Sequence, residues 1–106
     1  MLAFEDYTFE EYRELIERWT KMVNKRGVTL SGGQPVPVTF WKTFLGLTRK
    51  QHQDMFNGTF KNKTGCVPKY IGRTLELAEL LNKVSPDDFD RQVRWQIPKF
   101  EADKTS

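Results

Sequence analysis

An unbroken row of polar, hydrogen-bonding side chains runs from Arg49 to Gln53, inside the stretch FWKTFLGLTRKQHQDMFNG of residues 40–58. Residues 21–73 around it hold ten Lys or Arg against one acid, Asp54, a balance of +9. Residues 1–20 carry −4 and residues 74–106 carry −2, which brings the whole chain to +3. Such a concentrated positive segment favours a polyanionic partner. The alternative is a solvated basic face that binds no ligand.

Residues that could do covalent, metal or nucleotide chemistry are few. The chain has one His and one Cys, no metal-ligand spacing appears, and nothing in the sequence orients a Cys66–His52 pair for catalysis. Gly32-Gly33 is not followed by the Lys and Ser or Thr of a phosphate loop. Asp87, Asp88 and Asp90 are better explained as a helix cap with a solvated face. We therefore predict a protein that is not an enzyme and that uses no metal and no cofactor.

The lone Cys66 cannot form an intramolecular disulfide, which is typical of a reducing compartment. The sequence contains no apolar run long enough to span a bilayer, and its first ten residues, MLAFEDYTFE, are acidic where a secretory signal would be basic. We expect a cytoplasmic protein that does not enter a membrane.

Hydrophobic spacing and capping residues predict an all-α domain. Thr8 and Glu11 form a capping box for a first helix, which should end near Gly27. Its apolar stripe consists of Tyr12, Leu15, Ile16, Trp19 and Val23. A loop rich in Gly and Pro follows over residues 27–38.

Two short helices are predicted within residues 39–58. Thr39 is expected to cap the helix FWKTFL, which ends at Gly46, and Thr48 with Gln51 is expected to cap the helix RKQHQDMFN. We expect Gly46-Leu47 to form the turn between them. The side chains expected to face the core here are Trp41, Leu45, Leu47 and Met55.

Two longer helices complete the predicted bundle of about five. Val67-Pro68 opens one of them and Ser85-Pro86 opens the other. The apolar side chains assigned to their inner faces are Tyr70, Ile71, Leu75, Leu77, Ala78 and Leu81, and then Phe89, Val93 and Trp95. We expect a single domain over residues 1–100 and a frayed tail over residues 101–106, after Pro98.

The segments FWKTFLGLTRKQHQDMFNG and VPKYIGRTLELAELL together resemble the helix-turn-helix domains of phage-repressor type. The resemblance covers roughly residues 38–82, the predicted helix-turn-helix core. Two positions depart from the family pattern, which favours a small residue at Lys42 and a branched apolar residue at His52. Because burying Lys42 would be costly, we expect the two helices to cross more openly, or the Lys42 stem to extend to solvent.

The resemblance implies that the second of the two short helices meets DNA. In that family, Arg and Lys on this helix can donate to guanine and Gln can pair with adenine, while a capping Thr suits a phosphate. The residues expected to bind DNA are Thr48, Arg49, Lys50, Gln51, Gln53, Lys61, Lys63 and Lys69.

The function implied by the resemblance is a small sequence-specific transcriptional regulator, encoded by a phage or mobile element, that blocks a promoter by occupying it. Its partner would be double-stranded DNA, bound by a homodimer. The alternative is a phage-type inhibitor or adaptor that uses the same scaffold to bind a host protein, because a fold does not determine a function.

Overall fold

The computed structural model describes residues 7–103, which contain five helices joined by loops and turns. They are α1 (Phe9–Lys25), α2 (Phe40–Leu45), α3 (Arg49–Asn57), α4 (Lys69–Val84) and α5 (Pro86–Ala102). The β pairing among the described residues is limited to two isolated bridges, Thr8–Cys66 and Thr29–Pro35. The predicted all-α class with about five helices is confirmed.

The predicted first helix forms as its capping box indicates. The Glu11 N–H donates to Thr8 Oγ1 at 3.0 Å, and the Thr8 N–H donates to Glu11 Oε1 at 2.9 Å. The whole predicted stripe of α1, from Tyr12 to Val23, is buried. This face of α1 packs against α3, so α1 is the support on which the shorter helix rests.

A cluster of aromatic rings joins α1, α2 and α5. The rings of Trp19 and Trp41 lie 5.0 Å apart, and Trp19 meets Phe89 edge-on at 5.5 Å. Both indole N–H groups are satisfied, because Trp19 donates to Glu79 Oε1 at 2.6 Å and Trp41 donates to Thr20 Oγ1 at 2.9 Å. Large rings with paired polar atoms are how a short chain of modest apolar content fills its core.

Three apolar side chains assigned to inner faces point outward instead. Tyr70 and Leu77 are exposed on α4, and Trp95 is exposed on α5. The buried face of α4 is formed by Ile71, Gly72 and Leu75. Because α4 carries apolar residues on more than one side, spacing alone did not identify the side that faces the core.

Two predicted boundaries are also corrected. Thr39 has helical backbone angles and its side chain makes no capping hydrogen bond, so it does not cap α2. The chain is not frayed from residue 101, because α5 continues through Pro98 to Ala102 and Asp103 is ion-paired with Lys42. Residues 104–106 of the predicted tail lie outside the described residues.

Candidate nucleic-acid interface

The connection between α2 and α3 is a tight turn of three residues, Gly46 to Thr48. Gly46 has φ 73° and ψ 32°, the left-handed conformation that glycine adopts without a Cβ penalty. The Leu47 N–H donates back to the Lys42 carbonyl at 2.7 Å, which closes the end of α2. The half-buried Leu47 packs against the core beneath the turn, so the entry into α3 is held in place.

The N-terminus of α3 is closed by a second capping box. The Gln51 N–H donates to Thr48 Oγ1 at 3.1 Å, and the Thr48 N–H donates to Gln51 Oε1 at 3.0 Å. This confirms the predicted cap, and it also shows that the Gln51 carbonyl is already engaged within the helix. Of the two glutamines proposed to contact bases, Gln53 is the exposed one and Gln51 is half-buried.

The inner face of α3 consists of His52 and Met55, both buried against α1. His52 Nδ1 and Tyr12 Oη are joined by a hydrogen bond of 2.8 Å. Burial, and after it the nearby charge of Lys42, lowers the pKa of His52 to about 4. The imidazole is therefore neutral at physiological pH. His52 is thus a buried packing residue whose ring is also hydrogen-bonded.

The outer face of α3 presents the basic and amide side chains together. Arg49, Lys50 and Gln53 are exposed within the first half of the helix, beside the exposed Thr48. Lys50 pairs with Asp54 one turn later at 3.0 Å, and its side chain remains 86% exposed. An ion pair this exposed contributes little, so it leaves Lys50 able to exchange partners. The arrangement offers donors to an acceptor-rich ligand that approaches the beginning of α3.

The loop after α3 is held at several points. The backbone N–H groups of Thr59 and Phe60 both donate to the Asp54 carbonyl, at 2.8 and 3.1 Å. Asn62 stabilises the second half of the loop. Its side-chain amide N–H donates to the Cys66 carbonyl at 2.6 Å, and its side-chain carbonyl oxygen accepts from the Gly65 N–H at 2.9 Å. The two lysines that flank Asn62 are exposed on this loop. They are Lys61 and Lys63.

The eight predicted site residues thus fall into three groups. Five lie in the cap and first half of α3, two lie on the loop that starts from the end of α3, and Lys69 lies apart, exposed at the first residue of α4. All but Gln51 are exposed.

Lys42 is buried in a way that neither sequence-based expectation foresaw. Its side chain is 7% exposed, and its Nζ donates to Asp103 Oδ2 at 2.8 Å. The same Nζ lies 5.7 Å from the centre of the Phe100 ring. An ion pair and a cation–π contact compensate the buried ammonium, so the lysine is tolerated at this position.

Sequence reasoning missed the C-terminal part of α5 beside the α2–α3 turn. A cleft of about 400 Å³ there is lined by residues of both segments, among them Gly46, Lys99 and Asp103. A neighbouring one of about 260 Å³ also reaches Arg49. The available signal was the spacing of four and then seven residues that places Phe89, Val93 and Phe100 on one face of a helix continuing past Pro98.

Residues 7–103 contain no group of three or more His, Cys, Asp or Glu side chains able to hold a metal ion. No helix within them has the length and apolar character needed to cross a membrane.

The fold and this surface together define an all-α domain with a basic, solvent-facing short helix behind a tight turn. Comparisons of the chain with protein families, with curated proteins and with solved structures found no match.

Proposed function

We propose that this chain is a small DNA-binding regulator in which α3 is the recognition helix. The observation that carries the proposal is the pairing of a three-residue turn with a helix whose inner face is buried and whose first half exposes Arg49, Lys50 and Gln53. Helix-turn-helix proteins join their two helices by a turn of about this length and read base edges with the N-terminal residues of the second.

The side-chain chemistry supports direct reading of a duplex. Arg49 is suited to a guanine edge and Gln53 to an adenine edge, where each paired contact discriminates by about 1–3 kcal/mol. Thr48, at the positive end of the α3 dipole, suits a backbone phosphate. Lys61 and Lys63 extend the basic surface along the loop, in reach of phosphates flanking the contacted bases. Occupation of a promoter by the bound protein would then block transcription.

The proposal is tested by selection from a random duplex library with the wild-type chain and with Arg49→Ala/Gln53→Ala. We expect the wild type to enrich a defined motif and the double variant to lose it while keeping its helical circular dichroism. The matched control is Arg94→Ala/Gln96→Ala, which removes the same two residue types from α5 and should enrich the wild-type motif. A motif that survives the α3 variant, or no motif with the wild type, refutes recognition by α3.

Salt dependence provides a second readout. If several phosphates are neutralised, the logarithm of the binding constant falls linearly with the logarithm of salt concentration, by about 0.9 for each phosphate. Lys61→Ala/Lys63→Ala should weaken binding to all sequences alike and reduce this slope by up to about 2. An unchanged slope would remove the loop from the interface.

A second candidate function, an adaptor that binds a protein, is favoured by one observation. Trp95 is 72% exposed beside Arg91, Gln92 and Arg94 in a shallow concavity of about 550 Å³ on α5. Exposed Trp and Arg are residue types enriched where binding energy concentrates in protein interfaces. Capture of one protein from nuclease-treated lysate that is lost with Trp95→Ala but kept with Arg49→Ala/Gln53→Ala would establish this function in place of the first.

A further inference from the structure

Helix α4 has a second apolar face that no described part of the chain covers. Its inner face, centred on Leu75, is buried in the core. On the opposite side Tyr70 is 66%, Leu77 is 52%, Leu80 is 42% and Val84 is 76% exposed. Together these four residues form what we call the outer stripe. Apolar side chains along the full length of an exposed helix are unusual for a surface that faces water and typical of one that has a partner.

The spacing of the outer stripe is that of a helix that packs against another helix. Tyr70, Leu77 and Val84 follow one another at intervals of seven residues, and the intermediate positions on the same face are occupied by Arg73 and Leu80. Leu77 lies midway between the other two. A helix with this symmetry matches its own copy when the two run antiparallel, because Tyr70 then lies opposite Val84 of the partner and Leu77 lies opposite itself.

We propose that the outer stripe is a homodimer interface, in which α4 packs antiparallel on α4 of a second copy about a two-fold axis at Leu77. This goes beyond the proposed DNA binding and does not depend on it. It would supply the second copy that a helix-turn-helix protein uses on a two-fold related site.

The charges at the two ends of α4 favour the antiparallel arrangement. Lys69 and Arg73 are exposed in its first two turns, whereas Asp87 is exposed three residues after its end. In an antiparallel pair the basic end of each helix approaches the acidic junction and the negative dipole end of the other. A parallel pair would bring the basic ends together, at a cost in repulsion.

The size of the outer stripe sets the strength of the dimer. A helix of 16 residues is about 24 Å long and about 10 Å wide. Allowing for the relief of its side chains, a copy seated on it would cover on the order of 500 Å² of each chain, or about 1,000 Å² in total. That is the lower limit for a specific interface, so we expect a dimer that dissociates on dilution.

The first test is sedimentation equilibrium of the full chain, without DNA, over a series of concentrations. The variant Leu77→Lys places two like charges on the proposed axis and should give a monomer throughout, with unchanged circular dichroism. Trp95→Lys makes the same kind of change at an exposed apolar residue outside the outer stripe and should dimerise as the wild type does. A wild-type chain that stays monomeric into the millimolar range overturns the proposal, as does a dimer that survives Leu77→Lys or is lost with Trp95→Lys.

The second test determines the direction of pairing by disulfide crosslinking in a Cys66→Ser background. Tyr70→Cys and Val84→Cys chains should crosslink when mixed and should each remain monomeric alone, because like positions lie about 21 Å apart in the antiparallel pair. Crosslinking of Tyr70→Cys with itself would show a parallel pair and overturn the arrangement. The same result is expected in an Arg49→Ala/Gln53→Ala background, so failure here and failure of DNA recognition are distinguishable.

Discussion

His52 makes the stability of the domain depend on pH in the weakly acidic range. The imidazole is 2% exposed, is hydrogen-bonded to Tyr12, and lies near the ammonium of Lys42. Protonation would bury a second positive charge beside the first. The test lowers the pH from about 7 to about 5 for the wild type and for the His52→Gln variant. The glutamine cannot bind the proton that the His52 imidazole would take up.

The magnitude follows from the two pKa values of His52. Burial, and then the charge of Lys42, lowers the pKa from 6.5 to about 4 in the folded chain. As pH falls, the unfolded chain therefore binds this proton before the folded chain does, and the free energy of unfolding decreases. The loss begins near pH 6.5 and is complete near pH 4. At about 1.36 kcal/mol for each pKa unit it totals about 3 kcal/mol, of which about 1.5 kcal/mol is lost between pH 6.5 and pH 5.

The assay is urea unfolding followed by circular dichroism at a series of pH values. The variant is expected to be less stable than the wild type at pH 7, because it disturbs a packed site, and the difference should shrink by about 1.5 kcal/mol on going to pH 5. Carboxylates that titrate in the same range are shared by both proteins and cancel in the difference. If the two curves of unfolding free energy against pH run parallel, His52 is not held neutral by its surroundings and the reasoning is refuted.

Three further substitutions test the packing around the candidate site by urea unfolding. Gly46→Ala should lower the free energy of unfolding by about 1–2 kcal/mol, because an L residue must then adopt the left-handed conformation at φ 73°, although its Cβ meets no neighbour there. Asn tolerates that conformation better, so an equal loss with Gly46→Asn would contradict this explanation. Glu79→Ala should cost about 1–3 kcal/mol by leaving the buried Trp19 N–H without an acceptor, and Glu79→Gln should cost less because its carbonyl oxygen can still accept. Pro98→Ala should raise the free energy of unfolding by about 1–2 kcal/mol, since it restores a helical N–H inside α5; a loss would show that the proline is accommodated without cost.

Local sequence signals were sufficient for most helix ends. The two capping boxes, at Thr8 and Thr48, and the Ser85 cap with its following proline all form where the spacing predicted them. In these caps the donor and the acceptor lie within four residues of each other, so their pairing depends little on how the helices pack together. Thr39 failed as a cap because its backbone is already helical, which turns its hydroxyl away from the orphan N–H groups.

The assignment of faces was less predictable. In α1 a single apolar stripe left one choice, whereas α4 has apolar residues on opposite sides, and the sequence does not say whether the second side faces the core or a partner. Trp95 presented the same problem on α5. Phe89 and Val93, four residues apart, are buried on one face of α5, but Trp95 lies on the opposite side of the helix.

The exposed side chains of the candidate site were predictable as a group. A short helix buries only one of its faces, so most residues of a charged row that follows a capping residue must face solvent. Their supporting contacts were not predictable. Tyr12 and His52 are 40 residues apart, and Lys42 and Asp103 are 61 residues apart. Pairings of this length depend on how the helices fold back on one another, which spacing along the chain does not encode.

His52 and Lys42 are polar residues through which neighbouring helices contact α3 and the turn before it. His52 connects α3 to α1 through Tyr12, and Lys42 connects α2 to α5 through Asp103. The backbone carbonyl of Lys42 also accepts the hydrogen bond from the Leu47 N–H that closes the turn. Lys42 therefore contacts the end of α5 through its side chain and the turn that leads into α3 through its backbone. For this reason the C-terminal end of α5 belongs to the structure that orients the candidate recognition helix, although it lies some 50 residues away from it in the sequence.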